Sequence, residues 1–356
     1  MSKVGETISE LAEWEAPEGT GVLSVYLDAR AEASGERPAA RKSDTLIRDR
    51  LNQIERTLLP RAAGLDSFRS DRDRIEGAIA REAPGSAGLA IFACAAANLF
   101  ETVTAGTPFR TRVAYGPHAA LYQLALLADE FETAVVAVGD TNTIRLFTVR
   151  AGKVAEAPGR DDADFATRRR KIGGMHEPRY LRHVQKNRED FASEAAQLIT
   201  ELIEEESATH LVLAGDAVAV PLLRAALPKR ALDRLVSEPL AIDIRASRKQ
   251  VAAEVASVLE AAEAMSSASV VDTLVGEVMQ DDLGVAGEER IRAMLSVGAV
   301  DTLVLSDSYA TAEIRDDLTR RAVQSGSKVE FVTGNAGLEE LGGAGAILRF
   351  RPAWPV

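Results

Sequence analysis

Two short apolar runs, Thr133-Ala-Val-Val-Ala-Val-Gly-Asp140 and Thr209-His-Leu-Val-Leu-Ala-Gly-Asp216, end in the same Gly-Asp pair, and a helical stripe lies between them. Runs of this length and composition fit buried strands closed by a turn. In the intervening stretch Val184, Phe191, Ala195, Leu198, Ile199 and Leu202 fall on one side of a helix spanning 180–205. Buried strands have to be covered, so a strand, a helix and a second strand in this order predict an α/β unit.

The same logic divides the chain into three. Residues 1–128 hold a strand, Gly21-Val-Leu-Ser-Val-Tyr-Leu-Asp28, a helix with Leu46, Ile47, Leu51, Ile54 and Leu58, and a second strand over 86–94. Residues 129–247 hold the two apolar runs, an alternating strand over 143–149, a turn and a short strand. The long helix belongs to the same domain, with a short helix from about Val218 and a strand near 240–244. Residues 248–356 begin with an Ala- and Glu-rich helix over 248–266. Helices over 287–295 and 310–325 then alternate with strands over 300–306 and 328–332, as expected of an α/β/α sandwich.

Charge is unevenly placed. The chain has a formal charge of -12, which argues against general nucleic-acid binding. Yet eight bases (Arg168, Arg169, Arg170, Lys171, Arg179, Arg182, Lys186 and Arg188) and a single acid, Glu177, fall within 168–188. This arm is therefore +7 and the rest of the chain -19. An acidic body with one concentrated basic arm suits a protein that presents the arm to an anionic surface. The polar stretch 157–178 that contains it has no sustained period, as functional loops often do not.

From residue 131 onward the order of parts resembles domains two and three of the archaeo-eukaryotic peptide-chain release factors and of their relative pelota. The phrases that carry the likeness are Gly298-Ala-Val-Asp-Thr-Leu-Val-Leu305, Gly326-Ser-Lys-Val-Glu-Phe331 and Leu341-Gly-Gly-Ala-Gly-Ala-Ile-Leu-Arg-Phe350. A polar loop with Gly173-Gly174 before a long basic helix adds to it. The first 130 residues resemble the N-terminal domain of bacterial members more faintly, and contain no stop-codon-reading motif. The resemblance implies mixed-sheet α/β domains, work on the ribosome, and contact with ribosomal RNA and peptidyl-tRNA. A delivering translational GTPase is a further partner it suggests.

In that family a Gly-Gly-Gln tripeptide ends translation. Two glycines let the backbone approach the ester, a backbone N–H stabilises developing charge, and the glutamine positions or excludes water. Here the text is Arg168-Arg-Arg-Lys-Ile-Gly-Gly-Met-His-Glu-Pro-Arg179. Gly173, Gly174 and Met175 are the candidate catalytic residues, with the eight bases as RNA contacts. Met175 stands where glutamine is expected, which leaves two outcomes open: hydrolysis through the surviving backbone N–H, or ribosome binding without chemistry. A third, an α/β protein-binding scaffold with a solvated basic face, belongs to a different class.

Other chemistry is thin. One cysteine, Cys94, in an apolar run excludes a disulfide framework and a multi-cysteine zinc site. His176 and His183 make a poor metal pair, His118 and His210 read as structural, and the Gly-Asp strand ends read as turns, so no metal is expected. No phosphate-binding Gly-rich loop follows a strand, and no cofactor is expected. With no 20-residue apolar span and no signal peptide, the expected location is the cytoplasm, away from membranes.

Overall fold

The structure is a computed structural model describing residues 3–30, 42–58, 62–83, 86–130, 133–150, 153–157 and 177–352. It has three four-stranded sheets. Its contacts divide the chain into two compact units: a middle unit, Phe131–Ser266, and a body formed by Lys3–Glu130 together with Ser267–Val356.

The body begins with α1 (Lys3–Glu13), β1 (Val22–Asp28), α2 (Lys42–Leu58), α3 (Ala62–Glu82), β2 (Gly88–Cys94), β3 (Leu99–Ala105), β4 (Arg112–Gly116) and α4 (Tyr122–Glu130). The strands pair antiparallel in the order β3-β2-β1-β4. Side chains alternate across a strand, so Leu23, Val25 and Leu27 of β1 and Leu89, Ile91 and Ala93 of β2 share one core with Ile47, Leu51, Phe68 and Ile75 of α2 and α3. On the alternate register Tyr26 is buried, and its hydroxyl donates to the Ala120 carbonyl at 2.5 Å. Cys94 is buried, as its apolar run predicts. Sequence periodicity had pointed to neither α3 nor β3: α3 is dense in charge, and Phe68, Ile75 and Ala78 are its few wholly buried apolar residues.

The middle unit runs β5 (Ala134–Gly139), β6 (Ile144–Arg150), β7 (Lys153–Glu156), α5 (Glu177–Glu205), β8 (His210–Gly215), α6 (Ala219–Ala226), α7 (Lys229–Leu232) and the first part of α8 (Arg248–Met279). Its sheet, ordered β7-β6-β5-β8, is mixed: β5 pairs parallel with β8 and antiparallel with β6. Val135, Ala137 and Leu146 face α5 and α6. Ala134, Val136, Val138 and Phe147 face the other way, onto Ile242, Val251 and Val255. The expected strand at 240–244 is a single bridge, Leu240 to Ala214, instead. Its backbone turns at once, with Ile242 N–H on the Leu240 carbonyl and Arg245 N–H on the Asp243 carboxylate, so no ladder can extend.

The body resumes with the rest of α8, then β9 (Gly284–Ala286), α9 (Glu288–Ser296), β10 (Val300–Ser306), α10 (Ala312–Gln324), β11 (Lys328–Val332), α11 (Ala336–Glu340) and β12 (Ala344–Leu348). This sheet is also mixed, ordered β11-β10-β12-β9. The Gly-rich phrase at 342–346 enters an interior strand, and the short β9 forms the edge. Helix α8 runs to Met279 rather than ending at 266, because Val271 and Leu274 find a core in the body that supports the helix past the weaker formers Ser266, Ser267 and Ser269.

Within the body the two sheets are joined by charge and ring contacts. Arg112 of β4 meets Asp316 of α10 at 2.6 Å, and Asp316 also accepts from the Tyr122 N–H at 2.9 Å. Tyr122 and Phe331 meet edge to face at 5.1 Å. Among the described residues no helix is long and apolar enough to cross a membrane.

Candidate functional site

The middle unit is built around two strands that stop together. Gly139 and Gly215 are paired across β5 and β8, and a Cβ on Gly215 would lie 1.8 Å from the Gly139 carbonyl oxygen. Gly215 also has φ +138°, a conformation glycine adopts without strain. Directly after each glycine an aspartate turns the chain. Asp140 accepts from the N–H groups of Asn142 and Thr143 at 2.7 and 2.6 Å. Asp216 accepts from Val218 and Ala219 at 2.8 and 2.6 Å, at the entry to α6. Both carboxylates are occupied by backbone amides, as strand-end turns require.

At the opposite edge of the sheet lies β7, the last described strand before the basic arm in the sequence. Ala157 is buried and its N–H bonds the Leu146 carbonyl at 2.9 Å, which extends the pairing one residue past the strand. Arg168, Arg169, Arg170, Lys171, Gly173, Gly174, Met175 and His176 lie outside the described residues. Arg179 and Arg182 stand on the first turns of α5. Lys186 is exposed and Arg188 half-buried.

Helix α5 has two halves of different character. Residues 177–188 hold four bases and one acid, whereas 189–205 hold six acids and no base. The packed stripe starts at Phe191 and continues through Ala192, Ala195, Ala196, Ile199, Leu202 and Ile203. Its acidic end is tied down locally: Arg230 meets Glu204 at 2.6 Å, and Arg150 pairs with Glu206 just beyond the helix. Bases near a helix N-terminus and acids near its C-terminus oppose the helix dipole, at a cost of about 0.3–1 kcal/mol for each charge in a terminal turn. Such an arrangement does not serve stability.

Sequence inspection missed one residue that shapes this unit. Arg145 of β6 donates to the carbonyls of Ile244 and Ala246 at 2.8 and 2.7 Å, meets Glu156 at 2.6 Å, and stacks over Phe147 at 4.9 Å. It fixes the segment from which α8 starts. A base between the apolar Ile144 and Leu146 of this strand was the only signal. Two of the histidines have partners: His118 Nδ1 lies 3.4 Å from the Trp14 carbonyl, and His210 Nδ1 lies 3.0 Å from Thr209 Oγ1.

Residues 120–260 match the bacterial archaeo-eukaryotic release factor family 10, and residues 264–352 match eRF1 domain 3. Both matches leave out the first 119 residues. Among solved structures the chain is similar to the archaeal translation termination factor aRF1, with 17% identity over 98% of this chain and 99% of that one and a TM-score of 0.30. It is similar to Dom34 of S. cerevisiae at 13% identity, over 72% and 74% of the two chains, with a TM-score of 0.45. Archaeal Pelota, in a model of its ribosome-bound state with ABCE1, is 13% identical over 98% and 95%, with a TM-score of 0.47. No curated protein matches the chain.

Proposed function

We propose that this chain, a bacterial archaeo-eukaryotic release factor-like protein through its middle and C-terminal parts, binds the ribosome and places residues 168–188 near the peptidyl transferase centre. The observation that carries the reading is the charge order of α5. A +7 arm continuing into the first turns of a helix, in a chain of net charge -12, has an anionic partner as its physical purpose. Arg168, Arg169, Arg170, Lys171, Arg179, Arg182, Lys186 and Arg188 would neutralise RNA phosphates. Binding of that kind releases counterions and weakens steeply as salt rises.

The reaction belonging to this placement is hydrolysis of peptidyl-tRNA, in termination or in rescue of stalled ribosomes. Water attacks the ester carbonyl carbon, the bond to the ribose 3′ oxygen breaks, and that oxygen takes the proton. Gly173 and Gly174 would let the backbone come close, and the N–H of Met175 would stabilise the charge that develops. The side chain of Met175 favours a second reading. A thioether is a weak acceptor and no donor, so it cannot hold a water as an amide does. On that reading the protein occupies the ribosome as a hibernation or quality-control factor and leaves the ester intact. A delivering GTPase, as the resemblance implies, fits either form.

The test is co-sedimentation with bacterial ribosomes at low and high salt, beside a variant with Arg168, Arg169, Arg170 and Lys171 changed to Ala. Binding that salt weakens and the variant loses is the expected result. No binding at low salt would overturn the proposal and leave a scaffold with a solvated basic face. Peptide release from a stalled complex then separates the catalytic reading from the occupying one.

A further inference from the structure

Ser67, Asp71 and Arg74 stand about one turn apart on one side of α3 and face the turn between β2 and β3. That turn is tight: a single helical turn, Ala95–Ala97, is closed by Asn98 at a left-handed φ of 56°. Ser67 Oγ accepts from the Ala96 N–H at 3.1 Å. Arg74 Nη1 donates to the Leu99 carbonyl at 3.4 Å, and its guanidinium carbon lies 4.3 Å from the centre of the Phe100 ring. One helix face thus holds the chain where it enters β3, the edge strand of its sheet.

Asp71, between the two, is the anomaly. Its side chain is fully buried, and neither carboxylate oxygen has a partner at hydrogen-bonding geometry. The Ala95 N–H and the Ser67 hydroxyl favour its charge, but burial outweighs them and pushes the carboxyl up to about 6. The cation beside it is Arg74, whose Nη1 lies 3.9 Å from Asp71 Oδ1. This is the same nitrogen that holds Leu99. One donor therefore stands between two acceptors, a neutral carbonyl and a carboxyl whose charge follows pH.

The neighbouring elements bring no second cation to Asp71. Tyr115 of β4 is held above its ordinary value by burial and by the charges of Cys94 and Asp71. Cys94 of β2 is buried, and Glu101 of β3 is exposed on the register alternate to Phe100. Glu55 of α2 is engaged by Arg69 and Arg72.

We propose that Asp71 and Arg74 form a proton-operated clasp on the β2–β3 turn: Arg74 Nη1 holds the Leu99 carbonyl while Asp71 is neutral, and passes to Asp71 Oδ1 when that carboxyl ionises. A charge-assisted bond to a buried carboxylate outcompetes one to a neutral carbonyl. The transfer takes the guanidinium off Leu99 and off the Phe100 ring, and the start of β3 loosens. Since the folded chain favours neutral Asp71, the clasp is closed at acid pH and opens as pH rises through about 6. Asp71 is the sensor and Arg74 the positioning residue. The clasp lies wholly within the body and works whatever partner the basic arm takes.

The experiment is hydrogen exchange on the full chain at about pH 5 and about pH 7.5, with protection corrected for the pH dependence of exchange itself. In the parent, protection of amides 95–101 should fall about tenfold across that interval. D71N, a neutral isostere, should keep the high value at both pH values, and R74Q the low value at both. Strand β10 should show no such slope in any of the three. A second reading needs no variant: by NMR, the Asp71 carboxyl carbon and the Arg74 guanidinium nitrogens should shift together with one midpoint near 6. A slope that survives in D71N, full protection in R74Q at acid pH, or Arg74 signals that stay still while Asp71 titrates overturns the proposal.

Discussion

The middle unit and the body differ in what they bury. Among the described residues the buried polar side chains of the middle unit are Thr133, Thr148 and Thr200, all neutral. The body buries Asp71, Asp316 and Arg320. Both units use a mixed four-stranded sheet with one parallel pair, so the sheet type does not explain the difference. Position in the chain does. The body has to join an antiparallel sheet from the first third to a mixed sheet from the last. Charged pairs such as Arg112–Asp316 fix how those surfaces meet, where apolar contact alone would leave the register loose. The middle unit packs one sheet between its own helices and, among its described residues, fully buries no charged side chain.

Breaking the charged joint should give the largest effect. Asp316→Ala leaves Arg112 with only the more exposed Glu313 at 3.5 Å and the Tyr122 N–H without its acceptor, and should cost the body about 3 kcal/mol or more. Hydrogen exchange would then rise in β4 and α10 while β5 and β8 keep their protection. Equal losses in both units would erase the contrast. The reciprocal change is Gly215→Ala, which forces a side chain against the Gly139 carbonyl at a positive φ. It should destabilise the middle unit by about 3 kcal/mol, with the body's urea transition unmoved.

The smallest effect of the three is also the sharpest, because pH can switch it. Burial pushes the carboxyl of Asp71 up to about 6, against the lowering influence of the Ala95 backbone, Arg74 and Ser67. Its protonated form is favoured in the folded state. The body is therefore relieved of this strain at acid pH and loses stability as pH rises from about 4 through about 6, by on the order of 2 kcal/mol. Asp71→Asn should recover that amount at neutral pH and flatten the profile, read by chemical denaturation at several pH values. A native chain with no slope in that window would show that Asp71 ionises without penalty.

What the sequence revealed follows the range of the interactions. The strands β5, β8 and β10 were plain because their apolar runs are local and uninterrupted. The long helix was placed to within three residues of its start, from a stripe that its own sheet demands. Pairs that meet across the fold left no local trace: Arg112 and Asp316 lie far apart in sequence, as do Arg145 and the carbonyls it holds at 244 and 246. The extension of α8 past 266 was hidden because Ser and Val argue against a helix until a core accepts them. For the candidate site the reverse holds. The basic arm and the Gly173-Gly174-Met175 text are legible in the sequence, and the structure describes the strand β7 and helix α5 that flank them along the chain.

The charge order of α5 has one more consequence. Its 29 residues span about 43 Å at 1.5 Å per residue. Along that length the bases lie at the positive pole of the backbone dipole and the acids at the negative pole, an arrangement that costs stability but makes the dipole moments of the charges and of the backbone add. The helix behaves like a compass needle. In the field of a polyanion such a helix feels a torque that brings its basic end forward. Were its partner a polyanion, the fraction of productive collisions would depend on ionic strength before affinity enters at all.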